Sequence, residues 1–377
     1  MIRFIHTADW HLGMQAHFLP DEARPRFAED RFSAVRAIAE LAREEMCSFV
    51  VVAGDVFDSN HVDRAVIVKA IDALSSFTVP VFLLPGNHDP LDASSVYKSS
   101  DWADHCPEHV TVLTEPVAIP VGEGGAVEVV GVPWSTKHQL GDPVVAAYEA
   151  DAVTAGAKRV VVGHGIVDEL SPDRDDPSLI RAGALRDAIE GGSVSYLALG
   201  DRHSVTEIDG SDGRAWYAGT PVSTSYTEIR PNEVLLVELD GDNCTVESRQ
   251  TGSWIFLNHE VDLNGDEDLE QLEQWLGAVP SKSTTIVRLS LSGTLSLAEN
   301  ARLEDLLERS ELTFASLNRW ERHTDLVVAP GDGDFTQLDV SGYVREALDQ
   351  LASDADGSDQ QAVVARDALN LLYRLAQ

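Results

Sequence analysis

Asp9 and His11 lie one residue apart in Thr7-Ala8-Asp9-Trp10-His11-Leu12-Gly13, directly after the apolar run Ile2 to Ile5. A carboxylate and an imidazole at the end of a short strand can both face one divalent cation. The same arrangement recurs downstream. Phe49 to Ala53 runs into Gly54-Asp55-Val56-Phe57-Asp58, and Val81 to Leu84 into Pro85-Gly86-Asn87-His88-Asp89. Arg159 to Val162 runs into Gly163-His164-Gly165, and Tyr196 to Leu199 into Gly200-Asp201-Arg202-His203. Five apolar runs ending in oxygen and nitrogen donors are expected to bring ligands to one edge of a fold.

Two adjacent divalent ions need about seven protein ligands, one of them bridging. The mixture here, carboxylates with an amide oxygen and imidazoles, favours manganese, iron or zinc over calcium. Asp55 is the natural bridge, because a carboxylate offers two oxygens. Asp9, His11 and His203 then complete one set, and Asn87, His164 and Asp201 the other. A hydroxide bridging such ions attacks phosphorus in line, with no covalent enzyme intermediate. His88 is placed to stabilise the crowded phosphorus or protonate the leaving oxygen. Asp89 either fixes the His88 tautomer or serves a local turn. Asp58 is expected to hold a loop or a histidine rather than an ion.

Bland readings apply elsewhere. His6, on the strand before the ligands, is expected to pack in the core. His17, His61, His105, His109, His138, His259 and His323 lack partners at ligand spacing and read as surface or structural. Trp10 and Phe57 either stack on a base or, as expected first, pack beneath the loops. Arg24, Arg26 and Arg31 either meet backbone phosphates or belong to a solvated helix with Asp21, Glu22, Glu29 and Asp30.

The elements that position these groups follow from periodicity. Asp21 to Met46 and His61 to Phe77 have helical spacing, each leading into the next strand. This βαβαβ succession predicts a layered α/β domain with a largely parallel sheet. Val110 to Leu113, Val117 to Val121 and Val127 to Val132 read as short antiparallel strands in the outer part of a second sheet, followed by a helix over 143–155. The loop from Asp168 to Asp176 lies over the site or on the surface. The expected divisions are 1–255, a small α/β unit at 256–338, and carboxyl-terminal helices at 339–377, over Tyr343 to Leu351 and Ala362 to Leu375. The face formed by Ala365, Leu369, Leu372 and Leu375 is expected to pack on its own domain, or alternatively to dock a partner.

The 377 residues are 44% hydrophobic, enough for two ordinary cores. Three scattered cysteines argue against a disulfide framework and for a reducing cytoplasm. Ile2 to Ile5 already behaves as a core strand rather than a leader, and no apolar run has membrane-spanning length. With 63 acidic against 28 basic residues, the formal charge is -35. Such a surface repels phosphate backbones, so affinity for nucleic acid must come from bound cations, local arginines or a partner. The same acidity is also expected of a source with high internal salt, or simply of a solvated surface.

Taken together, Asp9-x-His11, Gly54-Asp55-x-x-Asp58, Gly86-Asn87-His88-Asp89, Gly163-His164 and Gly200-x-x-His203 resemble the calcineurin-like metallophosphoesterase superfamily. More narrowly, His6 to Gly13 and Gly54 to Asp58 resemble SbcD-type DNA-repair exonuclease subunits. The resemblance implies a four-layer α/β/β/α sandwich with a small capping domain and carboxyl-terminal helices. It implies two divalent ions, manganese first with magnesium, iron or zinc as substitutes, and cleavage of DNA by an exo- or endonuclease. It also implies a coiled-coil, SMC-like ATPase of the SbcC type docked on the terminal helices, with a homodimer compatible. One position departs: the family's Gly-His-x-His is Gly200-Asp201-Arg202-His203 here. An anionic ligand in place of a neutral one makes the second ion less Lewis-acidic. The rival readings are a phosphodiesterase or phosphatase of small nucleotides, and a non-catalytic scaffold whose metal site has drifted.

Overall fold

The computed structural model describes residues 1–137, 139, 141–148, 150, 153–328, 342–355, 361, 362, 364, 365, 368 and 369. Its backbone packs as two units, Met1–Trp254 and Ile255–Gln377.

The first unit opens with β1 (Ile2–Thr7), α1 (Arg24–Glu44), β2 (Phe49–Val52), α2 (Arg64–Leu74), β3 (Val81–Leu83), α3 (Ser100–Ala103) and β4 (Val110–Val112). It continues with β5 (Ile119–Val121), β6 (Val127–Gly131), α4 (Val145–Tyr148), β7 (Lys158–His164), α5 (Ala182–Glu190) and β8 (Tyr196–Gly200). It closes with β9 (Thr206–Glu207), β10 (Ala215–Tyr217), β11 (Glu233–Asp240) and β12 (Asn243–Gln250). One six-stranded sheet has the order β12-β11-β1-β2-β3-β4, with β1 to β4 parallel and β11 antiparallel to β1. The other has the order β5-β6-β7-β8-β10-β9, with β6, β7, β8 and β10 parallel.

Side-chain alternation sets the layers, since successive residues of a strand point to opposite faces. Phe4, Phe49 and Val51 enter a core shared with Val160, Val162, Tyr196 and Ala198 of the other sheet. Their neighbours Ile5, Val50 and Val52 face α1 and α2 through Val35, Ile38, Ala70 and Leu74. On the far side Val161, Leu197 and Leu199 pack on Ala182 and Leu185 of α5. The result is a four-layer α/β/β/α sandwich whose central strands are apolar on both faces, as parallel strands covered twice must be. Each fully buried Val, Leu or Phe contributes roughly 1.5–3 kcal/mol.

Two local expectations are corrected. β4 is not antiparallel in the second sheet but extends the first, parallel to β3. The chain between them, including α3, is long enough for a parallel crossover, and alternation alone cannot report strand direction. Of the three strands expected there, only β5 and β6 pair antiparallel with each other. The helix expected over 143–155 is four residues long, Val145–Tyr148, with 149, 151 and 152 outside the described residues.

The second unit contains β13 (Ile255–Leu263), α6 (Asp266–Ala278), β14 (Thr285–Leu295), α7 (Leu297–Glu311), β15 (Ser316–Arg319), β16 (Asp325–Val328) and α8 (Tyr343–Ala355). Its parallel sheet buries Val287, Leu289 and Leu291 against Leu272 of α6 and Leu303 of α7. Ser296 and Glu299 close a reciprocal capping box at the start of α7. Leu348 of α8 packs with Leu297, Ala365 and Leu369 within this unit. Leu372 and Leu375 lie outside the described residues.

Candidate metal centre

β1, β2 and β3 are neighbours in one sheet, and β7 and β8 in the other. Their carboxyl ends lead into Asp9 and His11, Asp55, Asn87 and His88, His164, and Asp201 and His203 respectively. The turns are tight. Asp9 (φ 53°), His11 (φ 44°), Asp55 (φ 53°) and Asp201 (φ 91°) all occupy left-handed backbone. That conformation is unfavourable for a residue with a Cβ and costs of order 1–3 kcal/mol. It is held by Asp9 N–H donating to Gly54 O (3.1 Å) and His11 N–H donating to Asp55 O (3.0 Å). Two motif glycines have a steric cause: a Cβ on Gly54 would lie 2.0 Å from His164 Nδ1, and one on Gly86 would lie 2.1 Å from Asp55 Oδ1.

Donor atoms of Asp9, His11 and His203 lie within 4.8 Å of one another, as do those of Asp9, Asp55 and His164. His11 Nε2 and His203 Nε2 are 3.0 Å apart. His164 Nε2 is 2.7 Å from Asn87 Oδ1, 3.4 Å from Asp55 Oδ2 and 3.7 Å from Asp201 Oδ1. The structure thus gathers all seven sequence-predicted ligands around Asp55, Asp9 and His164. His11, Asp58 and His88 form a further group within the same spacing, on the other side of the His11 ring.

This donor set fits divalent cations. His164 Nδ1 donates to Ala53 O (2.8 Å), which leaves Nε2 as the inward atom. His203 Nδ1 meets Thr224 Oγ1 (2.8 Å), with Glu228 Oε1 at 3.4 Å, and so also aims Nε2 inward. Among the described residues no lysine or arginine pairs with Asp9, Asp55 or Asp201, and the ion-pair partner of Asp55 and Asp201 is His164. Burial pushes the Asp9 carboxyl up to about 7; His203 and His164 oppose the rise and the Asp55 and Asp201 charges add to it. Burial likewise raises Asp201. His164 is raised well above its usual range, against burial, by Asp55, Asp201 and Asp9. Buried acids facing inward imidazole nitrogens call for positive charge between them.

Supporting contacts distinguish the remaining candidates. Asp89 is fully buried and accepts from Phe57 N (3.0 Å), Gly86 N (2.8 Å) and Tyr97 OH (2.6 Å). Of its two readings, holding the loop describes these contacts. His88 is exposed; its Nδ1 donates to Asp58 O (2.9 Å) and its N–H to Asp55 Oδ1 (3.0 Å). Asp58 Oδ1 is 3.4 Å from His11 Nδ1. Burial lowers His11 to about 4. His6 lies in the core between Tyr196 OH (3.0 Å) and Leu199 O (3.1 Å). Trp10 and Phe57 are buried.

Arg31 fits neither sequence reading. It is 2% exposed and donates to Trp10 O (2.7 Å), pinning the first ligand loop from behind. Arg24 donates to Leu19 O (2.8 Å). Sequence reasoning also missed Thr220, which donates to Asp9 O (2.9 Å), and Trp134, whose indole donates to His164 O (2.7 Å). Thr224 and Glu228 were missed as well. None of these carries a motif, so no local signal in the sequence marks them.

The chain belongs to the calcineurin-like phosphoesterase family, whose sequence profile matches residues 2–203. Among relatives, it is 26% identical over 384 residues to the DNA double-strand break repair protein Mre11 of Haloferax volcanii, covering 97% of this chain and 77% of that one. It is 25% identical over 260 residues to the SbcD component of the SbcCD nuclease of Bacillus subtilis, covering 60% and 63% respectively. It matches Mre11 of Methanosarcina acetivorans at 24% identity over 78% of this chain but only 46% of that protein. The chain therefore spans less than two thirds of the latter two relatives. A dimetal phosphatase from Danio rerio aligns with TM-score 0.43 and 13% identity, over 66% of this chain and 96% of that one.

Proposed function

We propose that this phosphoesterase is the nuclease component of a cytoplasmic DNA-repair assembly, cleaving phosphodiester bonds as an exo- or endonuclease with two manganese ions. The convergence of Asp9, Asp55, His164, His11 and His203 carries the reading. The names of the Mre11 and SbcCD relatives support a DNA substrate. Asp9, His11, Asp55, Asn87, His164, Asp201 and His203 would hold the ions, with Asp55 the carboxylate that would be shared between the Asp9, His11 and His203 set and the Asn87, His164 and Asp201 set. When bound, the ions supply a hydroxide nucleophile and neutralise phosphate oxygens.

The chain's own groups do the rest. Thr224, Glu228 and Ala53 O fix which imidazole nitrogens face inward. Asp58 O accepts from Nδ1–H of His88, so Nε2 of this exposed ring is left to meet the substrate's leaving oxygen, to which it would give a proton as the imidazolium, with both nitrogens protonated. Magnesium, iron or zinc would fit the same donors. No helix among the described residues is long and apolar enough to cross a membrane. Tyr343 and Val364 are exposed on the carboxyl-terminal segment and offer apolar surface to a coiled-coil ATPase partner.

Purified protein with Mn2+ is expected to degrade linear duplex DNA, while Asp55→Ala and His88→Ala do not. Hydrolysis confined to small nucleotides would overturn the nuclease reading. Absence of bound metal together with inertness toward a bis-aryl phosphodiester would overturn the catalytic one.

A further inference from the structure

Beside the ligand cluster, Asp201 and His203 also line a cleft of about 320 Å³ whose other walls include Ile166, Leu170, Arg202 and Thr227. Ile166 is 41% and Leu170 38% exposed, an apolar pair at the border of a strongly polar centre. Arg202 Nε donates to Thr206 Oγ1 (2.9 Å), and that hydroxyl donates to Ser204 O (3.0 Å), so the guanidinium is anchored on one edge only. Its Nη groups have no carboxylate partner among the described residues, whereas Arg186 and Arg230 nearby in sequence pair with Glu169 and Glu233. In a chain with 63 acidic residues, an arginine without an ion pair beside a phosphoesterase centre is a cation available to an external anion.

We propose that this cleft binds the nucleotide next to the scissile phosphate: Arg202 grips that nucleotide's own phosphate through its two Nη groups, and Ile166 and Leu170 pack against its sugar and base. The assignment rests on the phosphodiesterase reading and narrows it to substrates carrying a second phosphate. It also supplies a local arginine of the kind that a chain of net charge -35 requires to hold a polyanion. A small aryl diester has no flanking phosphate to engage the same group.

Steady-state kinetics with Mn2+ on a fluorescein-labelled linear DNA, and on bis(4-nitrophenyl) phosphate, test this in wild type, Arg202→Gln and Arg202→Lys. Arg202→Gln is expected to raise KM for DNA about tenfold while kcat on DNA moves less than about threefold. The slope of log KM against log salt should flatten by about one phosphate's worth, roughly 0.7–0.9, and Arg202→Lys should restore part of both. An unchanged KM and slope for DNA in Arg202→Gln overturns the proposal alone. Equal losses of kcat on both substrates also overturn it, because they mark a structural role through Thr206. Wild type that hydrolyses neither substrate overturns the phosphodiesterase reading and the cleft assignment together.

Discussion

His11 Nε2 and His203 Nε2 stand 3.0 Å apart although 192 residues separate them in sequence. Two neutral imidazoles at that distance oppose lone pairs unless a proton or a cation lies between them. Chelator-treated protein is therefore expected to gain stability on adding Mn2+, by about 2.7 kcal/mol at a hundredfold excess over Kd, or about 5–10 °C in Tm. Calorimetry with metal analysis checks this: His203→Ala should lose one bound ion and part of the rise, and a Tm indifferent to Mn2+ contradicts the centre.

The acids of the centre give that stabilisation a pH dependence. Asp9 is raised by burial from its ordinary 3.8 to about 7. Between those values the folded metal-free chain keeps a proton that the unfolded chain has lost, so its stability falls as pH rises through about 4 to 7. A cation needs the carboxylate and competes with that proton. The Tm increment from Mn2+ should accordingly be larger at pH 7.5 than at pH 5.5. Equal increments would show that Asp9 does not take part.

Asp89 is a stability prediction rather than a catalytic one. Asp89→Ala strands Phe57 N–H, Gly86 N–H and the Tyr97 hydroxyl in the interior. The expected loss is about 3 kcal/mol in urea denaturation, with Tyr97→Phe costing about 1 kcal/mol. A neutral Asp89→Ala would mean that the Gly86 to Asp89 loop is held by other contacts.

His88→Ala should separate leaving groups. Loss of a general acid reduces cleavage of DNA, whose alkoxide leaving group needs a proton, by about 10²–10⁴. Bis(4-nitrophenyl) phosphate releases 4-nitrophenolate, a stable anion that needs no proton to depart, and its hydrolysis should fall less than about tenfold. Equal losses on both substrates would assign His88 to charge stabilisation at phosphorus instead of proton transfer.

Much of this was legible in the chain before folding was considered. Phe49 to Val52 and Arg159 to Val162 announce strands buried on both faces, and the donors that follow them announce the edge where ligands gather. Strand direction was not legible, because Val110 to Val112 has the same alternation whether it runs parallel or antiparallel to β3. Arg31 escapes a sequence reading for a related reason: along the chain it sits among acids on a helix, and only tertiary packing turns it inward onto Trp10 O. The supports of His203, Thr224 and Glu228, arrive from a loop of ordinary composition, so no local signal could identify them.

β1 lies between β2 and β11, and β11 begins only at Glu233. During synthesis β1 thus waits for a neighbour that leaves the ribosome long after it. Until then it has one free edge, so assembly of this unit is governed by non-local pairing and is expected to be slow.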